Sequence, residues 1–255
     1  MKKRLIAKIV VREGIVVQSV NFKNFQPVGS IENAIDYLNN WFADEIVLID
    51  ISNKVNLKKN LEIISKISLN NRIPLCYGGG INNINDVNSL LRVGVEKISI
   101  NKSSLTNKML LKEVSSIFGS QCLVVSLDIK KNNNAYYIFD HKSNKHLALT
   151  REIIEEYESC GIGEFLIQCI DNDGSKNGFD HQLLELILKL SNKPIIFSSG
   201  YGSINHLKKI CKSAVSGIAI GNALHFTEMS IFNMKLKVNK SFKKDILRME
   251  KDFLL

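Results

Sequence analysis

Short runs of apolar, mostly β-branched residues recur along the chain, and the segments between them repeat apolar positions at helical spacing. The strand-like runs are LIAKIVV from Leu5, EIVLIDI from Glu45, IPLCYGGG from Ile73, KISIN from Lys97, CLVVSLDI from Cys122, EFLIQCID from Glu164, PIIFSSG from Pro194 and GIAIGN from Gly217. IENAIDYLNNWF, INDVNSLLRVG and NHLKKICKSAV show the period of amphipathic helices. Nearly continuous apolar character marks strands buried on both faces, as parallel strands are. Eight such strand–helix units in 255 residues predict an α/β fold of the (β/α)8 TIM-barrel type.

The second half of the chain can be laid on the first at an offset of 118 to 120 residues. ADEIVLIDIS from Ala43 falls on IGEFLIQCID from Ile162, PLCYGGG on PIIFSSG, KISIN on GIAIG, and LIAKIVV on LVVSLDI. Four pairs in order predict a single barrel over 1–255 made of half-barrel repeats, about 1–118 and 119–235, followed by a C-terminal helical tail.

Composition narrows the class. Hydrophobic residues at 45% and charged residues at 23% exclude a disordered or fibrous chain. The net charge of +9 favours anionic partners, and phosphorylated small molecules fit as well as nucleic acid. Because the cations are dispersed, without a basic block or interleaved aromatics, no nucleic-acid partner is expected. Five cysteines without a CxxC pair read as reduced core residues. Lys8 and Arg12 interrupt the first apolar segment before a signal peptide could form, and no run reaches the length of a membrane span. A cytoplasmic protein without membrane association is expected.

In a barrel of this kind the working residues sit at the carboxyl ends of the strands. Gly79 and Gly80 follow the third strand and Asn101 the fourth. Their repeat partners are Gly200 and Gly202 after the seventh, and Gly221 and Asn222 after the eighth. Glycines there let backbone N–H groups approach an anion, so two phosphate sites on opposite sides of the mouth are expected. Asp128, at the end of the fifth strand, is the candidate acid or base, with Asp50 and the loop carboxylates Asp171 and Asp173 as further carboxylates. The repeat partner of Asp128 is Val10, so a paired carboxylate is missing. The histidines show no metal-ligand spacing; neither a metal nor another cofactor is expected. Cys76 and Cys169 face the interior in this reading, without a histidine to activate them. At the amino ends, Arg4, Glu45, Lys97 and Glu164 each open a strand and are placed to form a ring of salt bridges.

These features together resemble the cyclase subunit of imidazole glycerol phosphate synthase over essentially the whole chain. The carrying motifs are VVQSVNF, ADEIVLIDIS, YGGGI, GVEKISIN, FGSQCLVVSLD, GEFLIQCIDNDGSKNGFD and HFTEMSI. The resemblance implies a duplicated barrel that pairs with a glutaminase, takes ammonia through Arg4, Glu45, Lys97 and Glu164, and holds a ribonucleotide by two phosphate sites. It places Glu96 toward the docked partner. It also implies two aspartates, in LDV and IDA contexts, and a lysine in VVKGVNF. Here the second aspartate is Asp128, the first is Val10, and the lysine position is Gln18. The loop after strand seven reads SSGYG where the family has SGGAG, so Ser199 and Tyr201 are expected to crowd it. An intact entrance beside an altered chamber is similar to the divergent members that accompany a glutaminase and an N-acetyl sugar amidotransferase in making acetamidino sugars for surface polysaccharides. The alternatives are an authentic cyclase and lyase of histidine biosynthesis, or a sugar-phosphate isomerase of the related half-barrel type.

Overall fold

All eight apolar runs form strands. β1 (Arg4–Arg12) leads into a ribbon of β2 (Ile15–Val20) and β3 (Asn24–Gly29), followed by α1 (Ile31–Asn39), β4 (Glu45–Asp50), α2 (Leu57–Ser68), β5 (Leu75–Gly78), α3 (Ile84–Arg92) and β6 (Lys97–Ile100). Next come α4 (Lys102–Thr106), α5 (Lys108–Phe118) and β7 (Leu123–Asn132), which runs into a second ribbon of β8 (Ala135–Asp140) and β9 (Lys145–Ala148). The chain continues through α6 (Arg151–Ser159), β10 (Glu164–Cys169), α7 (His181–Leu190), β11 (Ile195–Ser198), α8 (Ile204–Ile210), β12 (Gly217–Ile220) and α9 (Ser230–Phe242). The computed structural model describes residues 2–69, 71–133, 135–141, 143–225 and 230–249. Part of the HFTEMSI motif, residues 226–229, lies outside them.

Parallel pairing runs β1–β4–β5–β6–β7–β10–β11–β12 and returns to β1, which closes an eight-stranded barrel with helices between the strands. Two features differ from the sequence reading. β1 and β7 continue beyond the barrel and pair antiparallel with β2 and β8, so Asp128 lies within a strand rather than at its end. The helix in NHLKKICKSAV stops at Ile210 and is shorter than its periodicity suggested.

Local chemistry explains the helix starts. Ser30 caps α1 by accepting from the Asn33 amide, and Ile31, Ala34, Ile35 and Leu38 form its buried face. Asp180 caps α7 in the same way, through the Leu183 amide. Those apolar faces pack on the outside of the barrel and make the larger core. Inside the barrel a second cluster collects Ile6, Val47, Cys76, Val124, Leu166, Ile196 and Ala219 from seven strands. This apolar layer separates a charged floor from a polar mouth. Among the described residues no helix is long and apolar enough to cross a membrane.

The last helix is fixed to the barrel by a buried ion pair. Lys235 of α9 donates to Asp44 Oδ1 at 2.8 Å and to the Phe42 carbonyl at 2.6 Å, while Asp44 Oδ2 accepts from the Leu5 amide at 2.6 Å. Removing one partner of such a pair leaves the other charge buried and uncompensated. Lys235→Met is therefore expected to lower the unfolding free energy by about 3 kcal/mol, read from urea titration.

Candidate functional site

Strand alternation decides which side chains enter the barrel. From β1 the inward residues are Arg4, Ile6, Lys8 and Val10, and from β10 they are Glu164, Leu166 and Gln168. At the floor, Arg4 Nη1 donates to Glu45 Oε2 at 2.6 Å, and Arg4 Nη2 donates to Glu164 Oε2. Lys97 Nζ donates to Glu45 Oε2 at 2.9 Å and to Glu164 Oε1 at 2.6 Å. Each cation bridges both anions, so the four residues form a closed ring. Burial works against the charges of Arg4, Lys97 and Glu164. The hydrogen bonds and charges of Glu164 and Glu45 nevertheless hold Arg4 and Lys97 above their ordinary values, and those of Arg4 and Lys97 hold Glu164 below its own. Glu45 Oε1 is buried with no hydrogen-bond partner among the described residues. Glu96, next to Lys97, is exposed and accepts the Leu75 amide at 2.6 Å.

At the mouth, Asp128 is buried and fully engaged. Oδ1 accepts from Gln168 Nε2 at 2.9 Å, and Oδ2 accepts from Asn101 Nδ2 at 2.9 Å. His141 Nε2 also lies 3.1 Å from Oδ2. Gln168 Oε1 in turn accepts from Lys8 Nζ at 2.9 Å, and Lys8 lies 3.9 Å from Asp173 Oδ1. Val10 and Lys8 line one cleft with Asp173, Ser199, Tyr201 and Gly221. Neither Lys8, Gln168 nor His141 stood out in the sequence as a site residue. Counting in twos from Arg4 and Glu164 would have found Lys8 and Gln168. His141 arrives on the β8–β9 turn, which no periodicity announced.

Of the other carboxylates, Asp50 and Asp171 stay out of the chamber, while Asp173 lines its edge. Asp50 follows the inward Ile49 and so points outward, where Ser52 and Asn60 donate to it. Asp171 accepts the Lys131 amide and holds a loop. Asp173 Oδ2 accepts from Ser19 Oγ at 2.6 Å and the Phe22 amide at 3.4 Å, and so clamps the turn after β2. Cys76 lies inside the barrel as expected, but Cys169 belongs to the outer core because it follows the inward Gln168. Burial raises both thiols, Cys169 to about 12, which removes the thiolate a nucleophile needs. Among the described residues no cluster of metal-ligating side chains occurs.

The glycine loops bring Gly79, Gly80 and Asn101 to one side of the mouth, and Gly200, Gly202, Gly221 and Asn222 to the other. Close backbone packing already requires two of these glycines. A Cβ on Gly79 would stand 2.3 Å from the Asp50 carbonyl oxygen, and one on Gly200 would stand 2.1 Å from that of Gly178; both residues have positive φ. The Asn222 side chain is held by the Ser19 backbone, and Gln18 Nε2 donates to the Asn222 carbonyl at 3.4 Å. Beside Gly200, Ser199 adopts φ +86, and its buried hydroxyl has no hydrogen-bond partner among the described residues.

Two outcomes follow from this geometry. Ser199→Gly removes a side chain from left-handed backbone and an unpaired hydroxyl, so it is expected to stabilise the protein by about 1 kcal/mol in denaturant titration. Glu164 has a lowered folded-state pKa, so its contribution is complete above the ordinary glutamate value of 4.5 and is lost as pH falls through the lower folded-state value. The acid limb of the stability profile below pH 4.5 should accordingly be shallower in Glu164→Gln.

The family model described as "Histidine biosynthesis protein" matches residues 4–230. Proteins named imidazole glycerol phosphate synthase subunit HisF are similar along nearly the whole chain. The one from Clostridium botulinum (strain Okra / Type B1) is 37% identical, over 91% of this chain and 94% of its own. The one from Natranaerobius thermophilus is 33% identical, over 92% and 95%. The one from Thermotoga sp. (strain RQ2) is 31% identical, over 94% and 96%. With its closed barrel and this extent of match, the chain belongs to the histidine biosynthesis protein family, among the HisF-type imidazole glycerol phosphate synthase subunits.

Proposed function

We propose that this barrel is the synthase subunit of a glutamine-dependent complex: a glutaminase docks at the amino end, and ammonia enters through the ring of Arg4, Glu45, Lys97 and Glu164. The ring itself carries the reading. Desolvating four charges costs several kcal/mol per ion, and a packed apolar plug would serve stability as well or better. A gate gives those charges a purpose, and the unpartnered Glu45 Oε1 offers an acceptor to an N–H group passing the floor. Above it the apolar layer of Ile6, Val47, Cys76, Val124, Leu166, Ile196 and Ala219 would admit neutral ammonia far more readily than ammonium.

The reaction at the mouth is the ammonia-dependent cyclase and lyase step on a phosphorylated ribonucleotide, at a rate reduced by the missing first aspartate; the relatives' names, imidazole glycerol phosphate synthase subunit HisF, favour the histidine-biosynthesis role. The glycine loops on either side of the mouth would hold the two phosphates through backbone amides, with the strand-seven site narrowed by Ser199 and Tyr201. A second reading, delivery of ammonia toward an N-acetyl sugar amidotransferase, is favoured only by Val10 and Gln18 standing where the cyclase has its acid and its lysine. The names of the relatives lend that route no support.

Docking is tested by mixing the barrel with its glutaminase and following glutamine hydrolysis. Binding is expected to raise hydrolysis at least about fivefold, within the usual range of site-to-site coupling. Lys97→Ala should reduce ammonia transfer while leaving the response to added ammonium salt intact. Glu96→Gln, which keeps an acceptor for the Leu75 amide, should weaken the complex. Absence of a complex at micromolar concentrations, or unchanged transfer in both variants, refutes the channel.

Turnover with ammonium salt and the ribonucleotide is expected to fall at least about a hundredfold below that of a two-aspartate relative, the lower bound for losing one acid–base group. Val10→Asp with Gln18→Lys should recover part of the difference. A wild-type rate equal to that of a two-aspartate relative would sink the idea that Val10 limits the chemistry.

A further inference from the structure

The second ribbon brings into the mouth an imidazole that the strand pattern did not reveal. His141, at the β8–β9 turn, places Nε2 at 3.1 Å from Asp128 Oδ2. Its ring stacks on Phe22, with centroids 5.5 Å apart, and meets Phe139 edge-on at 4.7 Å. Two aromatic rings and a carboxylate therefore fix its orientation, while its side chain remains 41% exposed against 8% for Asp128. A carboxylate only accepts hydrogen bonds, so Nε2 donates to Asp128, and in the neutral ring Nδ1 is then the bare nitrogen.

We propose that His141 is the catalytic acid–base residue of this mouth and that Asp128 is its positioning residue, a pair that compensates only in part for the carboxylate missing at Val10. Asp128 is poorly suited to act alone, since Gln168, Asn101 and His141 already occupy both its oxygens. Imidazole is the side chain whose ordinary titration lies nearest neutral pH, and a carboxylate on one nitrogen leaves the other free to exchange a proton. In the step, Nδ1 takes a proton from the substrate, and the resulting imidazolium is stabilised by Asp128. The same proton then returns to the substrate from Nδ1, so the residue ends as it began.

Several charged groups among the described residues lie near this pair. Asp128 is the carboxylate in contact with the ring. Lys130 lies over the far ring, 5.4 Å from the Phe139 centroid, and Asp140, the preceding residue, accepts from Ser143 Oγ. Across the mouth, Lys8 Nζ lies 5.9 Å from the centroid of the same Phe22 ring that His141 stacks on. Gln168 takes one of its three donors, and its positive charge suits the anionic substrate that the mouth is proposed to bind. Phe22 is held between the two by strained backbone: Asn21 and Phe22 both have positive φ, and Asp173 fastens the turn through both amides. Left-handed backbone at such residues costs roughly 1–2 kcal/mol each and tends to persist where a site requires it.

This inference rests on the proposed ammonia-dependent reaction, and its test omits the glutaminase so that docking and mouth chemistry fail separately. The full chain is assayed with saturating ammonium salt and the ribonucleotide. His141→Gln is expected to lower kcat about a hundredfold, with KM changed less than about threefold, and to abolish the acid limb of the pH–rate profile. In His141→Ala, added imidazole should restore part of the rate, which a purely structural role would not allow. Ring ¹⁵N spectra of the wild type should show the proton on Nε2 of His141. The proposal is overturned if His141→Gln keeps the wild-type kcat, if the wild type shows no ammonium-dependent turnover, or if the proton is found on Nδ1. Loss of glutaminase stimulation with His141-dependent turnover intact would instead overturn only the docking.

Discussion

Closing eight parallel strands leaves the interior one side chain from every second residue, and that register governs what the barrel does. Because β1 sends Arg4 inward, it must also send Ile6, Lys8 and Val10 inward; because β10 sends Glu164 inward, Leu166 and Gln168 follow. A shift of one residue would exchange these for side chains of the outer core. The charged floor, apolar middle and polar mouth are thus one pattern repeated around the barrel.

The two polar levels are built on different electrostatic terms. At the floor each ion has two opposite partners, and Arg4 reaches both glutamates with separate nitrogens, a fork that lysine could not supply. The ring is net neutral, so the apolar layer above it sees little field. At the mouth, Asp128, Gln168, Lys8 and Asp173 form a chain in which neutral Gln168 separates one carboxylate from the cation that faces the other. That spacing keeps Lys8 off Asp128, whose Oδ2 lies against His141 Nε2 instead.

Much of this was legible in the sequence. The eight strands follow from their apolar runs, and the candidate ring residues follow from their place at strand starts. What escaped falls into two physical kinds. Asp50 and Cys169 were judged by position along the strand without asking which face they take; parity places each next to an inward residue and therefore outward. The ribbons were missed because an antiparallel extension at the barrel rim need not bury both faces. β3 and β9 are almost wholly exposed and carry no apolar period. His141, supported by long-range contacts to Asp128 and Phe22, could not be placed by any local signal.

The turn after β2 shows how the mouth depends on contacts that cross the barrel. Ser19 is tied to Asn222 after β12, and Asp173 after β10 receives Ser19 Oγ and the Phe22 amide. Through these bonds the loops of strands six and eight fix the position of Phe22, which touches both Lys8 and His141. A carboxylate in a loop after a strand reads at first as a candidate for chemistry. Here Asp173 has both a nearby cation and backbone partners, and its larger effect is to hold an aromatic wall between the two charged sides of the chamber. Changes in the β2 turn would therefore alter the mouth without touching any group that exchanges a proton.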